Sequence, residues 1–402
     1  MGAGGRAGGR APRLRRGPAE ARHRGARGAR GAGAGRRGVG LLEWAGGVVP
    51  QGAVVGAAKA GWRGAWAAMV AELAPQDAAG GYQRPAAGFL AADFRPGGVR
   101  GATGALPEEY VLYVGNACPW CHRVRLAHAL RGLGARVRIV EMADDAERAS
   151  RGGWVFGAPG EPDPLLGAAD LRELYDTVQP GYVGRCTAPL LLHSPSRRAV
   201  SNDSLDILRF LNGLDGASRP RVDLFPAGSE AGLEESIDFV YNRINNGVYR
   251  CGFATSQGAY DGALEELFAA LDATEERLAG RRFLLGPHLT AADLCLLPTA
   301  LRFEAVYAVL FRCCARPLGA YPNLLRWRRE CWGVEGVAST FDLPAAMRSY
   351  YGQLFPLNPS GIVPPRPTLE ELGLPPEPPE LSRPEDVAAL RELGGGEAER
   401  LE

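Results

Sequence analysis

The stretch from Tyr110 to Val140 constrains the fold more than any other part of the chain. Its first residues, Tyr110–Val114, are β-branched or aromatic apart from one leucine, which favours a strand. After a Gly-Asn-Ala turn, residues 119–133 carry apolar side chains at helical spacing, and residues 137–140 predict a second strand. A strand, a helix and a strand in such a short span are typical of a parallel βαβ unit.

A Cys-Pro-Trp-Cys motif lies where the first strand passes into this helix. In that context a C-x-x-C pattern indicates a thioredoxin-like redox site. Cys118 precedes the first helical turn, where the helix dipole stabilises a thiolate, and Pro119 suits the first helical position. Arg123 is close in sequence and is expected to add positive potential. Cys121, one turn further in, is expected to be more buried and either to resolve a mixed disulfide or to be passive.

Three other interpretations of the motif remain open. Cys118 and Cys121 would fit a pair of structural thiols, although a core does not need Pro-Trp between them. No second C-x-x-C pair is present to complete a zinc site, so no metal is expected. With His122 the motif also matches the loose C-x-x-C-H pattern for haem attachment, which absorbance near the Soret band would reveal.

A proline some 70 residues after Cys118 gives a second indication of this fold. Ala188-Pro189 opens a predicted strand, and in thioredoxin-like folds a cis-proline at this place faces the active cysteine. The preceding backbone is then available to a peptide-like ligand. Asp203 and Ser204 begin the next helix and are candidates for the amine and carboxylate of such a ligand. Taken singly, each feature also fits an ordinary edge-strand proline and an ordinary helix cap.

The other elements follow from apolar periodicity and helix caps. An amphipathic helix is expected near 168–177, a strand over 188–192 with a hairpin partner over 197–200, and a helix over 205–211. Beyond about residue 225 the sequence is helical, with candidate helices at 229–247, 258–279, 290–312 and 322–332. Thr290 and Asp293 resemble a capping box. From Pro364 onward, Pro and Glu predict a mostly disordered tail with one short helix near 384–393.

The net charge of +1 hides two oppositely charged ends. Residues 1–40 carry +10 and residues 365–402 carry −6. The Arg-rich, acid-poor segment 1–60 is expected to be a targeting segment for the chloroplast or another organelle, the alternatives being a GC-biased tail and a nucleic-acid-binding arm. Without it the net charge is −9, which is poorly suited to nucleic acid. No apolar run of 18 residues is present, so no membrane helix is expected.

The chain resembles the Xi class of glutathione transferases, the glutathionyl-hydroquinone reductases. The shared motifs run in one order from about Glu72 to Pro364. They comprise Ala74–Gln76, Tyr82–Pro85, Cys118–Arg123, Gly152–Phe156, Leu171–Tyr175, Tyr182–Arg185, Ile244–Tyr249, Gly252–Thr255, Phe283–Gly286, Leu289–Asp293, Arg302–Phe303, Val306–Tyr307, Tyr321–Asn323, Tyr350–Tyr351 and Asn358–Gly361. So many motifs are far more specific than a lone C-x-x-C.

The resemblance implies an α/β thioredoxin-like N-terminal domain and an all-α C-terminal domain, the glutathione-transferase fold, in a homodimer. The expected layout is an N-terminal extension (61–105), a glutathione-binding domain (106–225), a helical domain (226–364) and an acidic tail (365–402). It also implies glutathione-dependent reduction of S-glutathionyl-hydroquinones through a mixed disulfide on Cys118, with release of oxidised glutathione.

The resemblance also assigns residues. Cys118 is the nucleophile, and Tyr249, Tyr307 and Tyr350 line the hydroquinone pocket. The residues at positions that hold glutathione are Trp154, Arg185, Ala188, Asp203 and Ser204. Ala188 stands where Val is usual, and Asp203 where Glu is usual.

Two departures from the family pattern bear on function. Many relatives have Ala where Cys121 stands, so the alternative is a dithiol thioltransferase or dehydroascorbate reductase that uses Cys118 and Cys121. The Ser-His after the paired tyrosines is Gln353-Leu354 here, so the end of the pocket is expected to differ.

Overall fold

The computed structural model describes residues 50–375 except for short gaps, which are 96–107, 146, 151–152, 159, 217–221 and 355–356. Most of the predicted targeting segment, and the short helix expected near 384–393, lie outside these residues. The chain divides into residues 1–60 and a compact unit of residues 61–402, to which every predicted site residue belongs. None of the helices in the described ranges is long and apolar enough to cross a membrane.

A five-stranded mixed sheet forms the core of the N-terminal domain, in the order β3-β2-β1-β4-β5. Its strands are β1 (Tyr110–Gly115), β2 (Val137–Asp144), β3 (Trp154–Phe156), β4 (Leu190–His193) and β5 (Arg198–Ser201). β1 and β2 are parallel, and the other neighbouring pairs are antiparallel. Every residue of β1 is buried, as expected for a central strand. The predicted βαβ unit is therefore confirmed.

Four α-helices precede the C-terminal domain in the described part of the chain. They are α1 (Gln51–Leu73), α2 (Pro119–Leu130), α3 (Leu171–Val178) and α4 (Ser204–Gly213). The helix α2 packs against α4 and against β1. The Asp170 side chain accepts a hydrogen bond from the Glu173 N–H and caps α3, the amphipathic helix expected in this region. The short strand β3 was not predicted, because its three residues lie between glycine-rich turns.

The C-terminal domain is all-helical. Its helices are α5 (Glu230–Phe239), α6 (Asn246–Phe253), α7 (Gln257–Arg277), α8 (Ala291–Arg302), α9 (Ala308–Leu310), α10 (Pro322–Trp332) and α11 (Leu343–Gln353). The π-helical turns Val240–Asn245 and Phe303–Tyr307 interrupt two stretches that periodicity predicts as plain helix. The helix α11 was not predicted.

The predicted capping box at the start of α8 is confirmed. The Thr290 side chain and the Asp293 carboxylate satisfy each other's backbone N–H groups. Asp293 is fully buried and also accepts from the Leu284 N–H at 3.0 Å and from the Trp327 indole at 2.8 Å. The start of α8 is thus tied to α10.

Residues 365–375 differ from the expectation of a disordered tail. Leu372 and Leu374 are buried, and the Arg328 guanidinium donates to the Leu372 carbonyl at 3.0 Å. The Trp332 indole donates to the Pro375 carbonyl at 2.7 Å. The two leucines, set in a stretch otherwise rich in Pro and Glu, anchor this part of the tail against α10.

Candidate active site around Cys118

Cys118 lies at the N-cap of α2, directly after the turn that leaves β1. Its backbone is extended (φ −71°, ψ 119°), and its N–H donates to the Gly115 carbonyl at 3.1 Å. The Ala188-Pro189 bond is cis, as predicted, and the Cys118 thiol lies 3.7 Å from the Ala188 carbonyl oxygen. The two sequence indications of a thioredoxin-like site therefore meet in space.

The surroundings of Cys118 favour a thiolate. Burial raises the pKa of this thiol, but hydrogen bonds from the Cys121 side chain and from the Cys121 and Trp120 backbone N–H groups lower it, as does the charge of Arg84. Together they bring the pKa of Cys118 to about 7. A large fraction of Cys118 is therefore the nucleophilic thiolate at neutral pH.

Cys121 has the opposite character. It is fully buried, and its sulfur accepts from the Gly115 N–H at 3.4 Å. Burial and the neighbouring Cys118 raise the pKa of Cys121 well above its ordinary value. Cys121 is thus a neutral thiol that donates a hydrogen bond to the Cys118 sulfur.

The positive charge beside Cys118 comes from Arg84 and not, as expected from sequence, from Arg123. The Arg84 guanidinium stacks on the Trp120 ring, 3.8 Å from its centroid. Arg123 is buried, also stacks on that ring at 4.4 Å from its centroid, and donates to Ser204 and to Asn245. Sequence reasoning missed Arg84, although it lies in one of the stretches that carry the family resemblance.

Asp203 and Ser204 begin α4 and lie on the β4–β5 side of Cys118. One Asp203 carboxylate oxygen accepts from the Leu205 and Asp206 N–H groups, both at 2.9 Å, so Asp203 caps the helix. The Ser204 hydroxyl accepts from Arg123 at 3.3 Å. Ser204 is thus joined to the Cys118 region through Arg123, which stacks on Trp120.

Trp154 lies on the other side, above the end of β1. A Cβ atom on Gly115 would come within 2.2 Å of the Trp154 ring, so only glycine allows this close approach. Arg185 is half-buried, and burial lowers the pKa of its guanidinium, which is held near Tyr82 and Arg84. Trp154 thus approaches the end of β1, and Arg185 lies near Arg84, whose charge acts on Cys118.

The three predicted tyrosines converge. The Tyr350 hydroxyl lies 2.7 Å from that of Tyr249 and 3.2 Å from that of Tyr307. Burial raises the pKa of all three, so each carries its proton at neutral pH. The Tyr249 ring lies 6.2 Å from that of Trp120, in the C-P-W-C motif.

Of the adjacent tyrosines 350 and 351, only Tyr350 joins the cluster, because the Tyr351 hydroxyl donates to the Ala305 carbonyl at 3.0 Å instead.

Gln353, one of the two residues that replace the family's Ser-His, lines a cleft of about 340 Å³. Its walls are Asn116, Ala117, Met142, Ala143, Asp144, Trp154, Ala345, Arg348, Ser349 and Gln353. The Gln353 amide donates to the Asp144 carbonyl at 3.0 Å, and burial raises the pKa of the Asp144 carboxyl to about 6. The departure from the family pattern at Gln353 thus falls in the wall of a cleft that Trp154 also lines.

The fold and the cysteine site define a protein of the glutathione S-transferase type. The family models described as "Glutathione S-transferase, N-terminal domain" and "Glutathione S-transferase, C-terminal domain" match residues 117–214 and 257–330. The predicted fold class is therefore confirmed.

Curated relatives narrow the class. The glutathionyl-hydroquinone reductase PcpF of Sphingobium chlorophenolicum is 40% identical over 272 residues, which cover 67% of this chain and 86% of the relative. The glutathionyl-hydroquinone reductase YqjG of Escherichia coli K12 is 35% identical over 295 residues, which cover 71% of this chain and 88% of the relative.

Solved structures agree. The glutathione transferase Xi from Phanerochaete chrysosporium superposes with a TM-score of 0.63 at 34% identity, covering 71% of this chain and 97% of the other. The glutathione-bound structure of YqjG from Escherichia coli gives a TM-score of 0.62 at 32% identity, and the match covers 69% of this chain and 89% of the other. The chain belongs to the glutathionyl-hydroquinone reductases, the Xi class of the glutathione transferases, and the predicted resemblance is confirmed.

Proposed function

We propose that this protein reduces S-glutathionyl-hydroquinones to hydroquinones with glutathione, through a mixed disulfide on Cys118. The observation that carries the proposal is the position of the Cys118 thiol. It has a pKa of about 7, faces the Ala188 carbonyl at 3.7 Å and lies near three joined tyrosine hydroxyls. A nucleophilic thiolate and a set of neutral hydrogen-bond donors are the two groups that this reaction requires.

In the first step the Cys118 thiolate attacks the sulfur of the glutathionyl substituent. The new bond is the Cys118–glutathione disulfide, and the bond that breaks joins that sulfur to the ring carbon. The ring carbon keeps the electron pair and takes a proton, so the hydroquinone is reduced while the two sulfurs are oxidised to a disulfide. The joined hydroxyls of Tyr249, Tyr307 and Tyr350 have one proton beyond their two internal bonds, and it is donated to a phenolic oxygen of the departing ring, where it stabilises the charge that develops.

In the second step the thiolate of a second glutathione attacks the glutathione sulfur of the mixed disulfide. Oxidised glutathione leaves, and Cys118 returns as a thiolate. Because its pKa is lowered to about 7, the Cys118 thiolate is a good leaving group from this disulfide.

Glutathione is held on the β4–β5 side in this proposal. The Ala188 backbone pairs with the cysteinyl part of the tripeptide. The start of α4, with Asp203 and Ser204, receives the amine and carboxylate of its γ-glutamyl end. Arg185 and Trp154 contact the remainder.

Mass spectrometry of the protein with glutathione and glutathionyl-menadione, the latter supplied in its hydroquinone form, tests the proposal. The expected products are menadiol and oxidised glutathione, with an adduct of one glutathione on the Cys118 peptide when the second glutathione is withheld. Turnover without such an adduct, or an adduct on another cysteine alone, contradicts the proposal.

A dithiol thioltransferase or dehydroascorbate reductase is the second candidate, because Cys121 donates a hydrogen bond to the Cys118 sulfur and is positioned to resolve a disulfide on it. The buried, neutral state of Cys121 favours the monothiol route. An internal disulfide between the two cysteines, detected after treatment with oxidised glutathione, supports the dithiol reaction.

Two further expectations belong to this proposal. The enzyme acts as a homodimer, which sedimentation of the purified chain measures. The segment 1–60 directs it to the chloroplast or another organelle. An N-terminal sequence of the native protein that begins near Met1 contradicts cleavage of that segment.

A further inference from the structure

Arg302 is a buried cation with no carboxylate partner among the described residues. It is the last residue of α8, and its side chain is fully buried. Within the described ranges, no carboxylate lies within ion-pair distance of its guanidinium. A buried charge is costly unless hydrogen bonds satisfy it, so the acceptors that Arg302 does contact deserve a functional explanation.

Those acceptors are the residues directly before the nucleophile. The Arg302 Nε–H donates to the Ala117 carbonyl at 3.0 Å, and Nη2 donates to the Asn116 carbonyl at 3.2 Å. Nη1 donates to the Pro298 carbonyl at 3.0 Å, within α8. One planar group therefore fixes the turn between β1 and Cys118 from the helical domain.

The same guanidinium also holds the residue after Cys121. Nη1 of Arg302 lies 3.1 Å from Nδ1 of His122, which must accept because Arg302 can only donate. The proton of His122 is thereby assigned to Nε2, which donates to the Thr340 hydroxyl at 2.9 Å. The Phe341 ring stacks on His122 and on Arg302, with distances of 5.2 and 4.5 Å. Burial and the charge of Arg302 lower the pKa of His122, so the imidazole is neutral.

Arg302 also leads directly into the tyrosine cluster. The π-helical turn Phe303–Tyr307 follows it and ends on one of the three tyrosines. The positive charge of Arg302 opposes the rise that burial causes in the pKa values of Tyr307 and Tyr350. Arg302 is thus the shared attachment point of the nucleophile turn and the tyrosine turn.

We propose that Arg302 is a positioning residue for the reaction, which holds the Asn116–Ala117 turn so that the Cys118 thiolate stays at the N-cap of α2 and in register with the tyrosine hydroxyls. The proposal rests on the proposed function for its effect on turnover, and on geometry alone for its effect on Cys118. The charged and titratable groups that face Cys118 are Arg84, Tyr249 and Tyr307 from other elements and Cys121 from α2. Of these, Cys121 contacts the start of the turn through the Gly115 N–H, and Arg302 bonds the two residues that follow Gly115.

Arg131 offers a matched control at the opposite end of α2. It is also buried, and it donates to the carbonyls of Leu211, Leu214 and Val222. A change from Arg to Lys at either position keeps the charge but removes the planar fork that bonds several carbonyls at once. The two variants therefore lose similar sets of bonds to backbone carbonyls, but only Arg302→Lys loses them beside Cys118.

The test compares Arg302→Lys with Arg131→Lys in the full chain. Iodoacetamide alkylation of the Cys118 peptide is followed against pH by mass spectrometry, together with turnover of glutathionyl-menadione. We expect Arg302→Lys to shift the alkylation midpoint to higher pH and to lower kcat by about 10- to 100-fold, with KM for glutathione within about threefold of wild type. In Arg131→Lys the alkylation midpoint is unchanged and kcat stays within about twofold of wild type, because the contacts of Arg131 lie at the far end of α2 from Cys118.

A wild-type alkylation profile in Arg302→Lys overturns the proposal, and so does an equal loss in Arg131→Lys, which would indicate general destabilisation. If the wild-type protein alkylates normally but does not turn over glutathionyl-menadione, the proposed function fails while the positioning role is still measured. Should Arg302→Lys not fold, Thr340→Val, which removes the hydroxyl that accepts from His122, replaces it. An unchanged alkylation rate in that variant contradicts the proposal, and a severalfold slower rate supports it.

Discussion

The phenolic oxygens of Tyr249 and Tyr350 lie 2.7 Å apart, although 101 positions separate the two residues in the chain. Tyr350 also contacts the Tyr307 hydroxyl at 3.2 Å. Since each hydroxyl has one proton, Tyr350 donates to at most one neighbour, and the two internal bonds use two of the three protons. The three hydroxyls therefore form a chain, and its terminal proton is available to a ligand oxygen without loss of the internal bonds.

Tyr350 is the centre of this chain, so Tyr350→Phe breaks both contacts. We expect kcat for glutathionyl-menadione to fall by about 10- to 100-fold, because the remaining tyrosines no longer hold each other in position. The matched control is Tyr351→Phe, which removes the hydrogen bond to the Ala305 carbonyl and costs about 1 kcal/mol of stability. Steady-state kinetics and thermal unfolding of both variants check this. Equal losses of kcat in the two variants would mean that Tyr350 acts only in packing.

Cys118 is predicted to be required for turnover, whereas Cys121 is predicted to be dispensable. Cys118→Ser removes the thiolate and reduces turnover to the background rate, because a serine hydroxyl is not ionised at neutral pH. Cys121→Ala removes a hydrogen bond that lowers the Cys118 pKa, so the pH profile moves to higher pH while kcat on the alkaline plateau stays within about threefold of wild type. Turnover and adduct mapping of both variants are the measurements. Full loss of activity in Cys121→Ala would favour the dithiol reaction instead.

Arg84 is predicted to set the pH dependence of the nucleophile. Its positive charge favours the thiolate and so contributes to the lowering of the Cys118 pKa to about 7. Arg84→Gln therefore raises the pKa toward the ordinary value of a thiol, and the rising limb of kcat/KM moves to higher pH while the alkaline plateau is kept. Arg138→Gln, which removes an exposed arginine near Glu108, is the control and leaves the midpoint in place. A midpoint at about pH 7 in Arg84→Gln would show that the helix terminus and Cys121 suffice.

Local features of the sequence predicted the nucleophile and its setting. The strand, the turn and the helix around Cys118 are determined by neighbouring residues. The proline of Ala188-Pro189, directly before a run of leucines, by itself predicted the start of a strand. Arg84 and Arg302 could not be found in this way, because their partners at Trp120 and Ala117 are remote in sequence. The π-helical turns also escaped, since apolar periodicity does not distinguish them from plain helix. The convergence of the tyrosines came only from the family resemblance and not from any spacing.

Asp203 is predicted to have two separable roles, one in the fold and one in binding. Its carboxylate caps α4 through two bonds to backbone N–H groups, at Leu205 and Asp206, and its charge is expected to bind the glutathione amine. Asn is as good a cap as Asp but is neutral, so Asp203→Asn keeps the stability and raises KM for glutathione about 10-fold, the loss of one charge-assisted bond. Asp203→Ala loses the cap as well, which costs about 1 kcal/mol more.

Asp342 provides the matched control for the cap alone. It caps α11 with a bond from the Ala345 N–H at 2.9 Å and is exposed. We expect Asp342→Ala to lower the free energy of unfolding by about 1 kcal/mol without changing KM for glutathione. Chemical denaturation and initial rates at varied glutathione concentration separate the two effects. A wild-type KM in Asp203→Asn would assign Asp203 to the helix cap only, and glutathione would then have to place its amine against another group.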